Sequence, residues 1–233
     1  DVQFGDVPML SDATMTVEVV NEGNASLTLE TVDLVAPFSL VEVLPMVVDA
    51  GGSTTLTIAV STASKTNASS TFSVVSNDPA PLRTTQSFVA SVNVFAVNEL
   101  HLGGEGVVLG EPFEVTLAAN NMEPFSAFQL DVVLPEGVSL VADSEVWSGR
   151  EADHMLALSQ VGSNTVRLLG FSPSNAEFAG ADGELCAFQL VSNESANSVA
   201  LNVTNGLMSN VGLGDVLSAV SYTHLRAHET LLY

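Results

Sequence analysis

The sequence predicts an all-β protein built of two consecutive β-sandwich domains. Its 233 residues, of which 46% are hydrophobic, are enough for two domains with packed cores. Val, Thr, Ser, Leu, Asn and Gly are abundant, whereas helix-favouring Lys, Arg and Gln are scarce, and this composition favours strands and turns. Short apolar runs with period-two alternation recur between turn signals along the chain, which is the pattern of a sandwich.

The first domain is predicted over residues 1–96. Residues 15–20 alternate between apolar and polar side chains, as expected of a half-buried strand. The alternation resumes at residues 27–29 after a turn rich in Asn and Gly, which tolerate positive φ angles. Further strands are predicted near residues 37–40, 54–60, 71–75 and 84–96.

Five short motifs of the first domain occur in a characteristic order. They are Phe4-Gly5-Asp6, Asn21-Glu22-Gly23-Asn24, Pro37-Phe38, Gly51-Gly52-Ser53 and Ser76-Asn77-Asp78-Pro79. Together they resemble the choice-of-anchor D type of immunoglobulin-like domain, which is related to the abnormal-spindle and hydin modules. The resemblance implies an immunoglobulin-like sandwich that serves as a structural spacer.

The second domain is predicted over residues 97–220. Within residues 128–134 the apolar side chains of alternate positions share one face of a strand. Pro135 and Gly137 end that strand, because Pro cannot donate to the ladder and Gly accepts the turn geometry. Further strands are predicted near residues 114–119, 154–160, 164–171, 183–192 and 198–204, with a last one from about residue 216.

Four blocks of the second domain carry a second resemblance. They are residues 128–138, 166–172, 178–180 and 183–185. In this order they resemble the cohesin-like β-sandwich of bacterial secreted proteins. The resemblance implies a jelly-roll sandwich that binds a protein partner of the dockerin type on one flat sheet face and does no chemistry of its own.

We expect four residues on that partner-binding face. Gln129 and Asp131 alternate with the apolar positions of their strand and therefore point outward. Arg167 and Leu169 join them from the neighbouring strand, while residues 166, 168 and 170 point inward. Arginine is favoured at protein interfaces. The alternative is an ordinary solvated sheet face.

The charge balance excludes two classes of partner. Five Lys and Arg stand against 27 Asp and Glu, a formal net charge of −22. Such a surface repels phosphate backbones and anionic lipids, so we expect neither nucleic-acid nor membrane-surface binding. The acids are scattered, which favours a solvated surface of a secreted or salt-adapted protein over a cation-binding site. No run of 18 apolar residues occurs, so no membrane span is predicted.

No catalytic residues and no cofactor are predicted. His154 follows Glu151 and Asp153 and serines abound, but the chain has no Gly-x-Ser-x-Gly nucleophile elbow. Glu136 and Asp143 could act as a glycosidase pair only if they faced one another across a cleft. The sequence therefore predicts a protein that is not an enzyme.

No metal site is predicted, and the cysteine is expected to be inert. The histidines His101 and His154 lack ligand spacing, and the acid pairs at residues 143–145 and 182–184 match no calcium loop. Cys186 lies in an apolar strand-like run, where a buried thiol is expected.

Trp147 leaves a carbohydrate alternative open. An exposed tryptophan could stack on a sugar ring or anchor an interface, whereas the other interpretation is a packing role in the core or a loop. Aromatic residues make up only 6% of the chain, which is low for a carbohydrate binder.

The predicted function is a spacer plus a protein-binding module of a secreted or surface-anchored bacterial protein. The alternatives are a carbohydrate-binding accessory module and a structural stalk or adhesin repeat.

The last residues are expected not to belong to either domain. Residues 220–230 resemble the translation of a transposase-type sequencing adapter, and residues 221–233 hold both tyrosines and two of the four histidines. We therefore interpret residues 221–233 as an artefactual tail of a fragment from a longer reading frame. The alternative is a zinc site formed by His224, His228 and Glu229.

Overall fold

The fold was analysed in a computed structural model that describes residues 1–80, 84–104, 106–193, 198–222 and 225–226. These residues form strands, turns and loops, and none of them is helical, which confirms the all-β class. Within these ranges there is accordingly no helix that could cross a membrane. The chain divides into two compact units, Asp1–Ala96 and Val97–Tyr233, here called the first and the second unit.

The first unit is a sandwich of a five-stranded and a three-stranded sheet. The strands described in it are β1 (Val2–Pro8), β2 (Thr14–Val20), β3 (Leu27–Val32), β4 (Phe38–Leu40), β5 (Met46–Val48), β6 (Ser53–Val60), β7 (Thr66–Ser76) and β8 (Thr85–Phe95). The order is β1-β8-β7-β3-β5 in one sheet and β2-β6-β4 in the other. Strand β1 runs parallel to β8, and the other pairs are antiparallel.

The core of the first unit lies between these sheets. Leu29 and Phe72 face inward from the larger sheet, and Leu56 and Ile58 face them from β6. Burying side chains of this size contributes about 1.5–3 kcal/mol each. Within β6, Leu56, Ile58 and Val60 are buried and the residues between them are only half-buried, which is the period-two pattern that the sequence predicted.

The second unit is a larger sandwich. The strands described in it are β9 (Asn98–Gly104), β10 (Pro112–Asn121), β11 (Ala127–Val133), β12 (Val138–Leu140), β13 (Val146–Trp147), β14 (Met155–Gln160), β15 (Thr165–Phe171), β16 (Asp182–Ser192), β17 (Ser198–Val199), β18 (Asn202–Ser209), β19 (Ala219–Tyr222) and β20 (Leu225–Arg226). One sheet has the order β12-β16-β10-β9-β19, with β13 also on β16, and the other has the order β14-β15-β11-β18. Strands β17 and β20 form a separate pair.

The inward face predicted for β11 is confirmed. Phe128, Leu130 and Val132 are fully buried and pack against the apolar side chains that β10 and β16 contribute from the facing sheet. Leu168 is buried beside them from β15. This packing fixes which side of β11 and β15 faces outward, and therefore fixes the position of the predicted contact residues.

The last strand of the larger sheet begins later than predicted. It starts at Ala219 and not near residue 216, and it pairs in parallel with β9. Residue 216 has other partners, since its carbonyl accepts from Asn98 Nδ2 (2.7 Å) and its N–H donates to the Met208 carbonyl (2.8 Å). Residues 223–224 and 227–233 of the predicted tail, including His224, His228 and Glu229, lie outside the described residues. The interpretation of residues 221–233 as an artefact stays a prediction.

Candidate functional site

The four predicted contact residues lie together on the outer face of the β14-β15-β11-β18 sheet, which we call the outer face. Antiparallel pairing of β11 with β15 places Asp131 opposite Arg167 and Gln129 opposite Leu169. The pairing continues to β14 and β18, so that residues opposite one another on the four strands form three rows across the sheet. The rows are Met155, Phe171, Ala127 and Ser209; Ala157, Leu169, Gln129 and Leu207; and Ser159, Arg167, Asp131 and Thr204.

An ion pair with two hydrogen bonds lies in the third row. Arg167 Nε donates to Asp131 Oδ1 (2.7 Å), and Arg167 Nη2 donates to Oδ2 (2.8 Å). Asp131 is only 3% exposed, whereas the Arg167 side chain is 37% exposed. The hydrogen bond from Arg167 lowers the pKa of Asp131, and the same bond raises the pKa of Arg167. Asp131 therefore does not reach the surface itself but fixes the guanidinium of Arg167 there.

Asn205 is a third member of this group that the sequence analysis missed. Its Nδ2 donates to Asp131 Oδ2 at 2.7 Å. The register between β11 and β18 shifts at this point, and Asn205 adopts a positive φ of 51°. A Cβ on the next residue, Gly206, would lie 2.8 Å from Val220 Cγ2, so a side chain there would have to displace Val220. An Asn-Gly pair inside a strand-like run is the signal that could have predicted the bulge.

Apolar side chains lie to one side of the arginine, in the first and second rows. Met155 is 56% exposed at one side of the sheet and Leu207 is 38% exposed at the other. Leu169 and Phe171 are half-buried between them. Among the residues of the three rows, all of which the structure describes, Arg167 is the one cation and the buried Asp131 is the one acid. The outer face is therefore not acidic, although the chain as a whole is.

Trp147 does not lie on the outer face. Its ring makes an edge contact with Phe128 at a centroid distance of 6.3 Å and packs against Phe178 at 5.7 Å. The residue is half-buried beneath the loop that follows β13. This is the packing role that the sequence left as one of two interpretations for the tryptophan.

His154 is buried in the same aromatic cluster and has no catalytic arrangement. Its ring stacks on Phe178 at 3.7 Å, and its Nδ1 accepts a hydrogen bond from the Ala152 N–H (3.1 Å). Within the described part of the chain, His154 Nε2 is buried without a hydrogen-bond partner. The hydroxyl of Ser172 donates to Asp153 and not to His154. The residues considered for a serine triad are therefore not arranged as one.

His154 makes the stability of the second unit depend on pH. Burial lowers the pKa of this imidazole from its usual 6.5, against the opposing attraction of Asp153. The unfolded chain therefore takes up the proton first, and the free energy of unfolding falls as the pH decreases through about 6.5 towards the lower folded value. We expect a lower urea midpoint at about pH 5.5 than at about pH 7.5. The fluorescence of Trp147, the single tryptophan of the chain, reports this transition.

The variant His154→Phe is the control for this pH dependence. It keeps an aromatic ring against Phe178 but cannot titrate. We expect its urea midpoint to change much less between the two pH values. If the variant keeps the full pH dependence of the wild type, another group is responsible and the assignment to His154 is wrong.

The remaining groups with possible chemistry are inert or dispersed. Cys186 is fully buried, as predicted, and burial raises the pKa of its thiol to about 12. Across the residues that the structure describes, no three His, Cys, Asp or Glu side chains come together as a metal site. The acid pairs at residues 143–145 and 182–184 therefore have no third His, Cys, Asp or Glu side chain grouped with them among the described residues.

Residues 1–90 match the family model described as HYDIN/CFA65/VesB-like, Ig-like domain. This match confirms the resemblance to hydin-type immunoglobulin-like modules that the five motifs of the first domain predicted. No curated protein matches the chain.

Solved cohesin modules are among the structures to which the chain is similar. A non-cellulosomal cohesin from the hyperthermophilic archaeon Archaeoglobus fulgidus is 16% identical, with a TM-score of 0.48, over 58% of this chain and 94% of the cohesin. CaCohA2 from Clostridium acetobutylicum is 13% identical, with a TM-score of 0.48, over 57% of this chain and 92% of CaCohA2. The third cohesin of ScaC from Acetivibrio cellulolyticus was solved in complex with the ScaB dockerin. It is 13% identical, with a TM-score of 0.48, over 56% of this chain and 99% of the cohesin. Each of these cohesins is similar to this chain over more than nine tenths of its own length.

Proposed function

We propose that the second unit binds a protein partner through the outer face, and that the first unit is a spacer, in a non-catalytic protein at the bacterial cell surface or outside the cell. One observation carries this proposal. In a chain with a net charge of −22, the outer face presents a fixed arginine among exposed apolar side chains and no exposed acid in its three rows. A solvated sheet face has no need of that arrangement.

The composition of the outer face is typical of a protein interface. Interface cores are depleted in charged residues and enriched in Arg, Met and aromatic residues. Arg167, Met155 and Phe171 supply these residue types on neighbouring strands. Asp131, which accepts a hydrogen bond from Asn205, already holds the Arg167 guanidinium in place, so binding immobilises less side chain than a free arginine would require.

A protein partner fits this face better than a polysaccharide does. The tryptophan that could have stacked on a sugar ring packs against Phe128 and Phe178 instead. Because the motifs of residues 128–185 resemble cohesins, a dockerin-type protein is the first partner to test. The exposed cation further favours a partner with a carboxylate at the point of contact.

Capture of purified dockerins by the full chain tests this proposal. A panel of dockerin-type domains is titrated calorimetrically with the wild type and its variants. We expect Arg167→Lys to weaken binding about tenfold, because a lysine ammonium cannot make the paired contacts of the guanidinium fork. The combined variant Gln129→Ala, Asp131→Asn, Arg167→Ala is expected to abolish capture.

Gln189→Ala is the matched control for the change at Gln129. Gln189 is exposed on β16, in the other sheet of the same unit, so its removal is expected to leave binding unchanged. Trp147 fluorescence verifies that each variant keeps the second unit folded. Undiminished capture by the combined variant contradicts the assignment to the outer face, and a lack of binding to every dockerin contradicts this class of partner.

A further inference from the structure

One edge of the β14-β15-β11-β18 sheet has no strand beside it. Strand β14 is the first in this order, so β15 pairs with it on one side only. Among the residues that the structure describes, neither a strand nor a loop backbone bonds to its other side. The residues that flank β14 in the chain are described as well, and they lead away from this side. Such an edge is a template for pairing with another strand.

Strand β14 lacks the features that usually protect a sheet edge. Residues 155–161, all of them described, include no charged residue and no proline, and the pairing of β14 with β15 has no bulge. The opposite edge of the sheet is different. Strand β18 has a register shift near Asn205, and Met208 at its end is bonded to Asp215 and Val216.

The unpaired backbone groups of β14 belong to alternate residues. The Val161 N–H donates to the Thr165 carbonyl (2.9 Å), which lies on the β15 side. Successive residues of a strand direct their backbone groups to opposite sides. Leu156, Leu158 and Gln160 therefore direct their N–H and C=O groups to the open side.

Apolar side chains are incompletely covered along the same edge. On the outer side, Met155 at one end of the edge is 56% exposed and Val161 at the other end is 49% exposed. On the inner side, Leu156 and Leu158 pack against the core of the second unit but are only half-buried. A further strand on this edge would cover both sets of side chains.

We propose that two copies of the chain dimerise by antiparallel pairing of their β14 strands, with the two-fold axis at Leu158. This is the register that pairs all the open backbone groups with one another, because Leu158 then lies opposite itself and Leu156 lies opposite Gln160 of the second copy. The same register places Met155 opposite Val161 of the second copy. The two exposed apolar ends of the edge thus cover one another.

The charge distribution favours a second copy as the occupant of this edge. Asp153 is the first acid before β14, and in the proposed register it lies opposite Ser163 of the second copy and not opposite a carboxylate. A charged partner finds no opposite charge on residues 155–161. The net charge of −22 on each copy acts over a longer range and is screened by salt, so we expect high ionic strength to favour the dimer.

The dimer joins two four-stranded sheets into one continuous sheet, on which the two outer faces lie side by side. It needs no partner protein, and its test is therefore independent of the function proposed above.

Sedimentation velocity of the full chain tests for the dimer. We expect a monomer–dimer equilibrium with a Kd of about 100 µM, because each copy contributes only one short strand. Raising the NaCl concentration from about 0.05 M to about 0.5 M is expected to tighten dimerisation at least about threefold, since the pairing itself contains no charged contacts.

Two variants at one position test the strand pairing. Gln160→Pro removes an N–H at the open edge without removing a bond to β15, and Gln160→Ala keeps that N–H. The two-fold axis repeats the loss on the second copy, so we expect Gln160→Pro to weaken dimerisation about tenfold and Gln160→Ala to leave it unchanged. Trp147 fluorescence verifies that the second unit of each variant is folded.

Cysteine cross-linking tests the register. Ala157 lies opposite Ser159 of the second copy, at a Cα–Cα distance of about 4.5 Å, which a disulfide can span. An equimolar mixture of Ala157→Cys and Ser159→Cys is expected to form a linked heterodimer under oxidised glutathione. A mixture of Ala157→Cys with Gln189→Cys, which is exposed on the other sheet, measures random collision and is expected to cross-link at least about tenfold more slowly.

Four results overturn the proposal. They are no self-association at concentrations up to about 1 mM, weaker association at the higher salt concentration, equal dimerisation by Gln160→Pro and the wild type, and equal cross-linking of the two mixtures. A self-association that Gln160→Pro leaves intact would use another surface of the chain.

Discussion

Arg150→Met is expected to lower the free energy of unfolding of the second unit by about 3–5 kcal/mol. The Arg150 side chain is 8% exposed and donates five hydrogen bonds. Its acceptors are the carbonyl oxygens of Ala119, Ala179, Gly180 and Gly183 and the side-chain oxygen of Asn121. A methionine fills much of the volume but leaves these acceptors without a donor.

The effect of Arg150 comes from hydrogen bonding to neutral groups and not from an ion pair. None of its five hydrogen bonds goes to a carboxylate, and burial lowers the pKa of its guanidinium against the attraction of Asp182. The side chain joins the loop after β13 to the end of β10 and to the loop before β16. Its loss therefore removes the hydrogen bonds that join these three segments.

Arg150→Lys serves as the comparison for this prediction. It keeps the positive charge but replaces a planar fork of five donors by a single ammonium group. Chemical unfolding followed by Trp147 fluorescence measures both variants. We expect Arg150→Lys to lower the free energy of unfolding somewhat less than Arg150→Met does. If the free energy of unfolding of Arg150→Met is within about 1 kcal/mol of the wild-type value, water replaces the donor and the predicted structural role is wrong.

The faces of the second unit could be predicted from the sequence because strand alternation is a local property. Phe128 and Leu130 alternate with Gln129 and Asp131, and a period of two suffices to assign one set to the core and the other to the outside. The same reasoning placed Arg167 on the outer face. The start of β7 shows the limit of this reasoning. Residues 66–70 carry no apolar side chain larger than alanine, and they take their strand conformation from pairing with β8.

The burial of Asp131 could not be predicted from the same pattern. Alternation assigns its side chain to the outer face, but the depth of the carboxylate depends on which residues cover it. Arg167 covers it from β15 through the exact register of two strands, and Asn205 covers it from a bulge in β18. Register across a sheet is set by turns and packing far along the chain, not by the residues themselves.

The role of Arg150 has no sequence signal at all. Four of its five acceptors are backbone carbonyls, which any residue type provides. They lie up to 33 positions from Arg150 along the chain, on both sides of it.

Gly170→Ala is expected to destabilise the second unit by about 3 kcal/mol. A Cβ at this position would lie 2.4 Å from Phe128 Cε1 and 2.9 Å from Trp147 Cη2. The Phe128 ring has no free direction in which to withdraw, because it is fully buried between Trp147 and Phe178. Gly170 is therefore the point at which two aromatic rings pack directly on the backbone of β15.

Gly162→Ala is the matched control, since the nearest atoms to its Cβ would be those of the Thr165 side chain at 3.5 Å. That is an ordinary contact distance, so we expect the free energy of unfolding to change by no more than about 0.5 kcal/mol. Unfolding monitored by Trp147 fluorescence compares the two variants. Because β15 also carries Arg167, Gly170→Ala is expected to weaken partner capture in parallel. Equal stability of the two variants would show that the rings can shift, and the close packing on Gly170 would then not be a constraint on the fold.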